Sequence, residues 1–384
     1  MKKLAVFILL LALAGTVGVW VAYNRLKGQP REPRPPVGAT PSLPIGAVYS
    51  LGPLPIDDWR LAQHERLKRE LGKGPKQILV ISGGGARGAF GAGVLTGWSQ
   101  TGKRPDFDIV TGVSVGSLQA VFAFLGSGYD EELKQVFAHH QHLSNFSLWE
   151  SPRGAMSSVA PFEEGIRKRF NQQVMEAVAQ RYKEGKFLFV GTTNLDAGEF
   201  VMWDMGAIAS SERPDALHHF QSVLLASCSM PMVFPPTFFE VEVDRATYRE
   251  MHVDGGVRSP LFLPEFVVQS TEGKGTAYLI VNHTIESTRD YHPIGVSLTD
   301  IGFASFRTLL DDKLSYSLRS SILLAQNAKL ECKVVGLPPD WGDGGFSVRP
   351  EYAVKDPKML FEKARAYMET EPWVVHESEE QKVE

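Results

Sequence analysis

The chain has 384 residues, of which 43% are hydrophobic and 22% are charged, as in an ordinary globular protein. Its formal net charge of −4 provides no basic surface of the kind that binds nucleic acid. Its only cysteines, Cys228 and Cys332, form neither a metal-binding motif nor a disulfide framework. The length is sufficient for one large domain with additional segments.

An apolar stretch without charged residues occupies positions 4–23, directly after Lys2 and Lys3. At ~1.5 Å per residue, a helix of this length measures ~30 Å, which is enough to cross the core of a bilayer. Two interpretations remain: an uncleaved anchor in the bacterial envelope, or a signal peptide cleaved at the A-x-A site Ala12–Ala14, after which the protein is exported. Cleavage there would leave an unusually apolar new terminus, so we favour the anchor and expect a membrane-associated protein.

A proline-rich segment separates this stretch from the globular part of the chain. Eight prolines between positions 28 and 56 predict an extended tether, because proline is excluded from helix interiors. Residues 57–71 then read as a short amphipathic helix. We therefore assign residues 1–27 to the anchor or signal peptide and residues 28–75 to the tether and its helix.

From about residue 76 onward, apolar strands alternate with helices, which predicts an α/β sheet covered on both faces. The predicted strands are 77–81, 107–113, 186–195 and 276–282, and the predicted helices are 89–100, 114–126, one or two helices over 299–329, and 356–370.

A glycine cluster follows the first of these strands. Gly83, Gly85 and Gly88 fit G-x-G-x-x-G, the spacing of a dinucleotide-binding turn. Such a fold requires an acidic residue at the end of the next strand to hold the ribose, but the sequence has Ser114 at that position. The loop is therefore predicted to serve a different negative group.

The second strand-to-helix turn reads GVSVG, residues 112–116, and matches the G-x-S-x-G pattern of a nucleophile elbow. Gly112 and Gly116 would flank Ser114 because side chains there would clash in the sharp turn. A plain capping serine is the alternative, but the flanking strand and helix favour a nucleophile. Loop and elbow emerge at the same edge of the sheet, so the loop amides can face an oxyanion formed at Ser114.

A third motif, VDGG at 253–256, is weak alone, because Asp-Gly is a common turn. The set GGGARG, GVSVG and DGG, in this order, resembles the patatin-like phospholipase family. Residues 191–204 and 226–236 also resemble family segments, and the resemblance covers about residues 76–282. It implies a three-layer α/β/α sandwich with a mostly parallel central sheet, and hydrolysis of lipid acyl esters without a metal or cofactor.

The resemblance also assigns roles to individual residues. Ser114 would be the nucleophile and Asp254 its base, with a carboxylate available at neutral pH because a free aspartate has a pKa of ~3.9. The remaining assignments are the oxyanion loop Gly83, Gly84, Gly85, Arg87 and Gly88, the elbow glycines Gly112 and Gly116, and the DGG glycines Gly255 and Gly256. The departures from the family pattern are Ser82, Ser117, Met230 and Met232, and the methionines could reshape the acyl pocket.

The expected partners are a lipid or phospholipid substrate and a membrane, and residues 283–384 are predicted to be a helical extension that packs on the core. Two alternatives to the dyad enzyme remain. His283 and His292 follow Asp254, so a Ser–His–Asp triad is conceivable, whereas His252 would share the strand face of Asp254. A catalytically inactive, membrane-tethered scaffold is the other. The histidines at 139–142 favour a surface segment over a metal site.

Overall fold

The computed structural model describes residues 47–49, 65–138, 160–231, 233–285, 294–341 and 356–376. The predicted anchor, most of the tether, the histidines at 139–142, Met232 and His292 lie outside these ranges. Among the described residues, no helix combines the length and the apolar composition that a bilayer crossing requires.

Within the described residues, ten strands form a single sheet. In chain order they are β1 Ala47–Tyr49, β2 Lys76–Ile81, β3 Ile109–Val113, β4 Phe187–Asn194, β5 Glu199–Asp204, β6 Thr237–Val243, β7 Ala246–Asp254, β8 Gly275–Thr284, β9 Glu331–Leu337 and β10 Val374–His376. The central strands run parallel in the order β4–β3–β2–β8–β9. Antiparallel strands extend both sides, and the β6–β7 hairpin joins β4 through β7.

Helices connect most of the parallel strands. They are α1 Gly88–Gln100, α2 Val115–Leu125, α3 Asp130–Ala138, α4 Ala160–Arg169, α5 Gln172–Lys183, α6 Met205–Ala209, α7 Ala216–Ser227, α8 Glu265–Gln269, α9 Leu298–Asn327 and α10 Pro357–Tyr367. Residues 65–70 are also helical, at the end of the predicted 57–71 helix.

The sheet is covered on both faces because the side chains of its central strands alternate between two apolar clusters. In β2, Leu79 and Ile81 join a cluster with helices α1, α2, α5, α7 and α10. Ile78 and Val80 join a second cluster, to which α8 and α9 contribute. The chain is thus a mixed α/β fold with helices on either side of a central sheet.

The strands predicted at 77–81, 107–113, 186–195 and 276–282 are present as β2, β3, β4 and β8, with a helix after each of the first two. The helical extension expected after residue 283 needs correction, because β9 and β10 lie there and continue the sheet beyond β8. The apolar residues of β9 are too few to distinguish a strand from a helical turn by periodicity. Residues 298–327 form one helix rather than two.

This topology brings distant segments to one edge of the sheet. The carboxyl ends of the parallel strands β2, β3 and β8 lie side by side. The last residue of β7, Asp254, pairs with Thr192 of β4, the next parallel strand beyond β3. The glycine loop, the elbow and the aspartate therefore meet above the same strand ends.

Candidate active site

Ser114 occupies a strained turn between β3 and α2. Its backbone angles are φ 56° and ψ −134°, a combination that a side chain normally disfavours. The turn is possible because its flanking glycines lie against backbone: a Cβ at Gly112 would be 2.4 Å from the Gly116 carbonyl oxygen. A Cβ at Gly116 would be 2.4 Å from the carbonyl oxygen of Ser82. The structure thus shows the strand–turn–helix geometry of a nucleophile elbow.

Two hydroxyl groups hold this turn in place. The Ser114 N–H donates to Ser227 Oγ at 2.9 Å, and Ser227 Oγ donates to the Gly191 carbonyl oxygen of β4 at 2.8 Å. Ser117 Oγ donates to the Ser114 carbonyl oxygen at 2.6 Å. Ser117, which departs from the family pattern, therefore adds a hydrogen bond to the elbow. The backbone of Ser114 is held at both its N–H and its carbonyl group.

The glycine loop lies directly beside the elbow. A Cβ at Gly83 would be 3.2 Å from Ser114 Cβ, and Gly85 has a φ of 56°, in the left-handed region that favours glycine. The Gly83 N–H donates to the carbonyl oxygen of Pro260 at 2.9 Å. The N–H groups of Gly84 and Gly85 donate no hydrogen bond within the described residues. These two amides, rather than that of Gly83, are free to receive an oxyanion.

The other two residues assigned to the loop have different surroundings. The Gly88 N–H donates to the carbonyl oxygens of Gly85 and Ala86, and a Cβ at Gly88 would be 2.9 Å from Phe137 Cε1. Gly88 therefore serves the start of α1 and its packing on α3. Arg87 is buried and lines the same cleft as Ser114, where its guanidinium adds positive charge.

Asp254 is fully buried at the end of β7. Its Oδ1 accepts the N–H of Gly256 at 2.7 Å, whereas its Oδ2 is buried without a well-formed hydrogen bond among the described residues. Burial raises the pKa of Asp254 to about 7, against the opposing effects of the nearby Ser114 hydroxyl and the Gly256 N–H. The buried environment therefore raises the pKa of this carboxyl group strongly, whereas the sequence predicted an aspartate with an ordinary pKa.

The two glycines after Asp254 have separate structural reasons. A Cβ at Gly255 would be 2.5 Å from the Gly191 carbonyl oxygen, so only glycine lets the end of β7 approach β4 so closely. Gly256 supplies the N–H that orients the carboxylate. The DGG motif thus places the aspartate and fixes its rotamer.

Ser114 and Asp254 both line a single cleft. Its walls combine the glycine loop with apolar and polar side chains from later in the chain. The lining residues are Gly83, Gly84, Gly85, Arg87, Ser114, Met230, Asp254, Gly256, Pro260, His283, Leu310, Asp311 and Leu314. Met230 lines the cleft, where the sequence predicted that it could influence the acyl pocket. The contribution of α9 to the cleft was not predicted.

A buried amide that sequence reasoning missed supports the glycine loop from behind. Asn282 Nδ2 donates to the carbonyl oxygen of Ser82 at 2.8 Å and to Gln119 Oε1 at 3.1 Å, and its Oδ1 accepts the N–H of Gly91 at 2.9 Å. A Cβ at Gly84 would lie 2.5 Å from Asn282 Cβ. Asn282 therefore ties β8, the loop and α1 together; its only sequence signal is a polar residue ending an apolar strand.

His283 lines the cleft but is engaged elsewhere. Its Nε2 is 3.0 Å from Asp311 Oδ1 on α9, and its Nδ1 is 3.1 Å from the carbonyl oxygen of Thr284. Neither ring nitrogen bonds to Ser114 or Asp254 in the described structure. The carboxylate that bonds to His283 is that of Asp311 on α9 and not that of Asp254. The arrangement therefore differs from a Ser–His–Asp relay through Asp254.

His252 is buried among aromatic rings, a hydroxyl group and the Glu250 carboxylate, whose Oε2 is 3.6 Å from its Nε2. Its Nδ1 is 3.0 Å from Thr192 Oγ1, and its ring packs on Trp203 and Phe239. Burial lowers the pKa of His252, opposed by Glu250, so the neutral ring is favoured. This histidine stabilises the junction of β4 and β7.

The described residues contain no cluster of three histidine, cysteine, aspartate or glutamate side chains that could hold a metal ion.

Comparisons with known proteins give one matching family model and several similar solved structures. A family model described as patatin-like phospholipase matches residues 79–267. VipD from Legionella pneumophila is 11% identical, with a TM-score of 0.39 over 80% of this chain and 68% of that one. Human GIVD cytosolic phospholipase A2 is 11% identical, with a TM-score of 0.36 over 87% of this chain and 56% of that one.

ExoU from Pseudomonas aeruginosa, in complex with SpcU, is 14% identical, with a TM-score of 0.31 over 79% of this chain and 55% of that one. The chain thus spans only about half of two of these proteins, and a search of curated proteins finds no significant match. The segment matched by the family model includes the glycine loop, the elbow and the DGG motif in their order along the chain, and residues 79–267 of this chain form a domain of the patatin-like phospholipase family.

Proposed function

We propose that this protein is a serine acyl hydrolase that cleaves carboxylic esters of lipids through an acyl-enzyme, with Ser114 as nucleophile and Asp254 as its base. One observation carries the proposal: a strained serine, a buried aspartate with an oxygen that lacks a well-formed hydrogen bond, and two glycine amides that donate none share a single cleft. The family assignment supports the lipid nature of the ester.

In the acylation step, Asp254 Oδ2 accepts the proton of the Ser114 hydroxyl as its oxygen attacks the ester carbonyl carbon. Negative charge then develops on the carbonyl oxygen. The amides of Gly84 and Gly85 are the proposed donors to this oxyanion, and one such donor is worth about 2.7–4 kcal/mol of transition-state stabilisation. Collapse of the intermediate breaks the ester bond, and the alcohol or lysolipid leaves with the proton from Asp254.

In the second step, water attacks the acyl group on Ser114. Asp254, again a carboxylate, accepts a proton from this water, and the same amides stabilise the second oxyanion. The proton returns to Ser114 Oγ as the fatty acid leaves. A single carboxyl group with a pKa of about 7 suits both roles, because acid–base catalysts work best with a pKa near the operating pH.

The cleft wall is consistent with an acyl chain, because Met230, Leu310 and Leu314 provide apolar surface close to the nucleophile. Met230 follows Ser229, whose carbonyl oxygen accepts the Asp254 N–H at 2.9 Å. The methionine is thus held beside the catalytic aspartate, where a flexible apolar side chain can adapt to the acyl group.

A fluorophosphonate probe tests the nucleophile. The full chain should become labelled at Ser114, as located by mass spectrometry, and Ser114→Ala should lose labelling and nearly all hydrolysis of a p-nitrophenyl ester. Ser210→Ala, at an exposed serine that does not line the cleft, is the matched control. An unlabelled wild-type protein would support the inactive-scaffold alternative, and a panel of phospholipids, lysophospholipids and neutral lipids would identify the substrate.

We also propose that residues 4–23 attach the protein to a membrane. The full chain should then sediment with membranes and resist a carbonate wash. Recovery of a mature chain that begins at Gly15 would instead establish the signal peptide.

A further inference from the structure

The first half of α9, together with residues 294–297 directly before it, presents an exposed apolar surface. We define this docking surface by Ile294, Val296, Leu298, Ile301 and Leu309, all at least half exposed, with Val296 and Leu298 at 94% and 88%. None of the described side chains between 298 and 313 is buried; the buried residues of α9 begin at Leu314. The described part of the chain therefore leaves this surface uncovered.

The docking surface adjoins the mouth of the catalytic cleft. Leu310, Asp311 and Leu314, on the next turn of the same helix, line that cleft together with Ser114. The bond from His283 Nε2 to Asp311 Oδ1, 3.0 Å long, ties this turn to the end of β8. Whatever covers the docking surface is consequently brought to the entrance used by the substrate.

The composition of the surface favours hydrocarbon. From Ile294 to Leu310 the charged residues are Asp300 and Arg307 alone, and Asp300 interacts with the helix cap, where Ser297 Oγ accepts its N–H. Charged residues resume directly after Leu310, at positions 311–313. Exposed apolar patches of this kind mark interaction sites, and helices with one apolar side lie in the plane of a bilayer interface.

We propose that the docking surface inserts into the interfacial region of a lipid bilayer, so that the cleft opens toward the lipids that the protein cleaves. The inference rests on the proposed function, because continuity with a lipid-accepting cleft is what selects a bilayer over a protein partner. It concerns a contact distinct from residues 4–23: these would attach the chain, whereas the docking surface would orient it.

A probe at a single position can test this contact in the full chain. A thiol-reactive environment-sensitive fluorophore is attached to Val296→Cys, with Met359→Cys as the matched control, both in a Ser114→Ala background. Native Cys228 and Cys332 are buried and should not react. Met359 is exposed on α10, which packs on the opposite face of the sheet. The fluorophore reports only its own surroundings, so attachment through residues 4–23 does not itself alter it.

With phosphatidylcholine vesicles, the emission at position 296 should shift to the blue and be quenched by acyl-brominated lipid, and the emission at position 359 should do neither. Equal responses at both positions, or none at 296, would overturn the proposal. A blue-shifted emission at 296 without vesicles would also overturn it: dependence on protein concentration would indicate a second copy of the chain, and independence a segment of the same chain.

A kinetic comparison uses the active protein. Val296→Glu and Leu298→Glu should each lower phosphatidylcholine vesicle hydrolysis by about tenfold, and leave hydrolysis of a soluble p-nitrophenyl ester unchanged. Met359→Glu should change neither. Equal losses on both substrates, or no loss on vesicles, would contradict the docking role. A wild-type protein that hydrolyses no ester would refute the proposed function instead, and the fluorescence result would stand independently of it.

Discussion

The two halves of the candidate active site are stabilised in different ways. The half made by the glycine loop and the Ser114 elbow consists of backbone held by many hydrogen bonds, and its strain is confined to one residue. The half made by Asp254 consists of one buried carboxyl group with an oxygen that lacks a well-formed bond. The first half therefore sets the positions of the serine and of the loop amides, and the second half sets the basicity of the aspartate. Substitutions should accordingly affect them differently: those behind the loop should disturb geometry, and those at the aspartate should remove chemistry.

The largest effect is expected at Asp254. Asp254→Asn keeps the shape of the side chain but removes the proton-accepting oxygen, so it should reduce turnover on a p-nitrophenyl ester nearly as far as Ser114→Ala. The Ser114→Ala/Asp254→Asn double variant should be little worse than either single variant, because the two residues act as a unit. Multiplicative losses in the double variant would show that another group serves as the base.

A smaller effect, through geometry alone, is expected at Asn282. Asn282→Ala removes the amide that holds the carbonyl of Ser82, directly before the glycine loop, so the proposed oxyanion donors should lose their alignment. We expect kcat to fall by roughly 10-fold to 100-fold, less than for the loss of a whole donor, with a small change in KM. Fluorophosphonate labelling should slow in parallel.

The conservative variant Asn282→Asp separates alignment from general instability. It keeps an oxygen that can accept the Gly91 N–H, but it cannot donate to Ser82 when ionised. Its kcat should therefore be low even where its melting temperature is close to that of the wild type. A normal kcat in a folded Asn282→Asp protein would show that the loop holds its geometry without this amide.

The pH dependence of kcat/KM should report the ionisation of Asp254. Asp254 must be ionised to act as a base, so kcat/KM should rise with pH and reach half its plateau near pH 7, where the pKa of this carboxyl lies. An unperturbed aspartate would give a midpoint near ~4. A profile flat from pH 5 to 9 would contradict the assignment of Asp254 as base.

The same shift makes a prediction about stability. The folded-state pKa of about 7 exceeds the unfolded value of ~3.9, so the folded protein binds this proton more tightly. The resulting stabilisation is complete below about pH 4 and is lost as pH rises through about 7. Asp254→Asn carries no charge, so its melting temperature should exceed that of the wild type increasingly between pH 5 and pH 8.

The smallest catalytic effect is expected at the cleft mouth. His283 bonds to Asp311 and Thr284 rather than to Ser114 or Asp254, so His283→Ala should retain most hydrolysis of a soluble ester. A loss comparable to that of Ser114→Ala, in a protein folded by circular dichroism, would replace the dyad with a histidine-dependent mechanism. His252→Ala is a poorer test, because removal of a buried ring is expected to destabilise the β4–β7 junction.

The local sequence determined the elbow and the loop. A strained turn needs glycines within two residues of the serine, and a loop that approaches another backbone needs glycine at its contact points. Both requirements can therefore be recognised from residues that are neighbours in the sequence. The structural roles of Gly112, Gly116 and Gly83 could accordingly be predicted before the fold was known. The central strands were equally predictable, since burial on both faces demands uninterrupted apolar runs.

Only the tertiary structure decided the properties that depend on distant neighbours. The Gly83 amide is bound by Pro260, the loop is supported by Asn282, and the cleft is completed by α9. The tuned pKa of Asp254 arises from burial that its own motif does not reveal. A turn is specified by bonds between adjacent residues, whereas hydrogen-bond partners, desolvation and cleft walls are specified by which segments the sheet topology brings together.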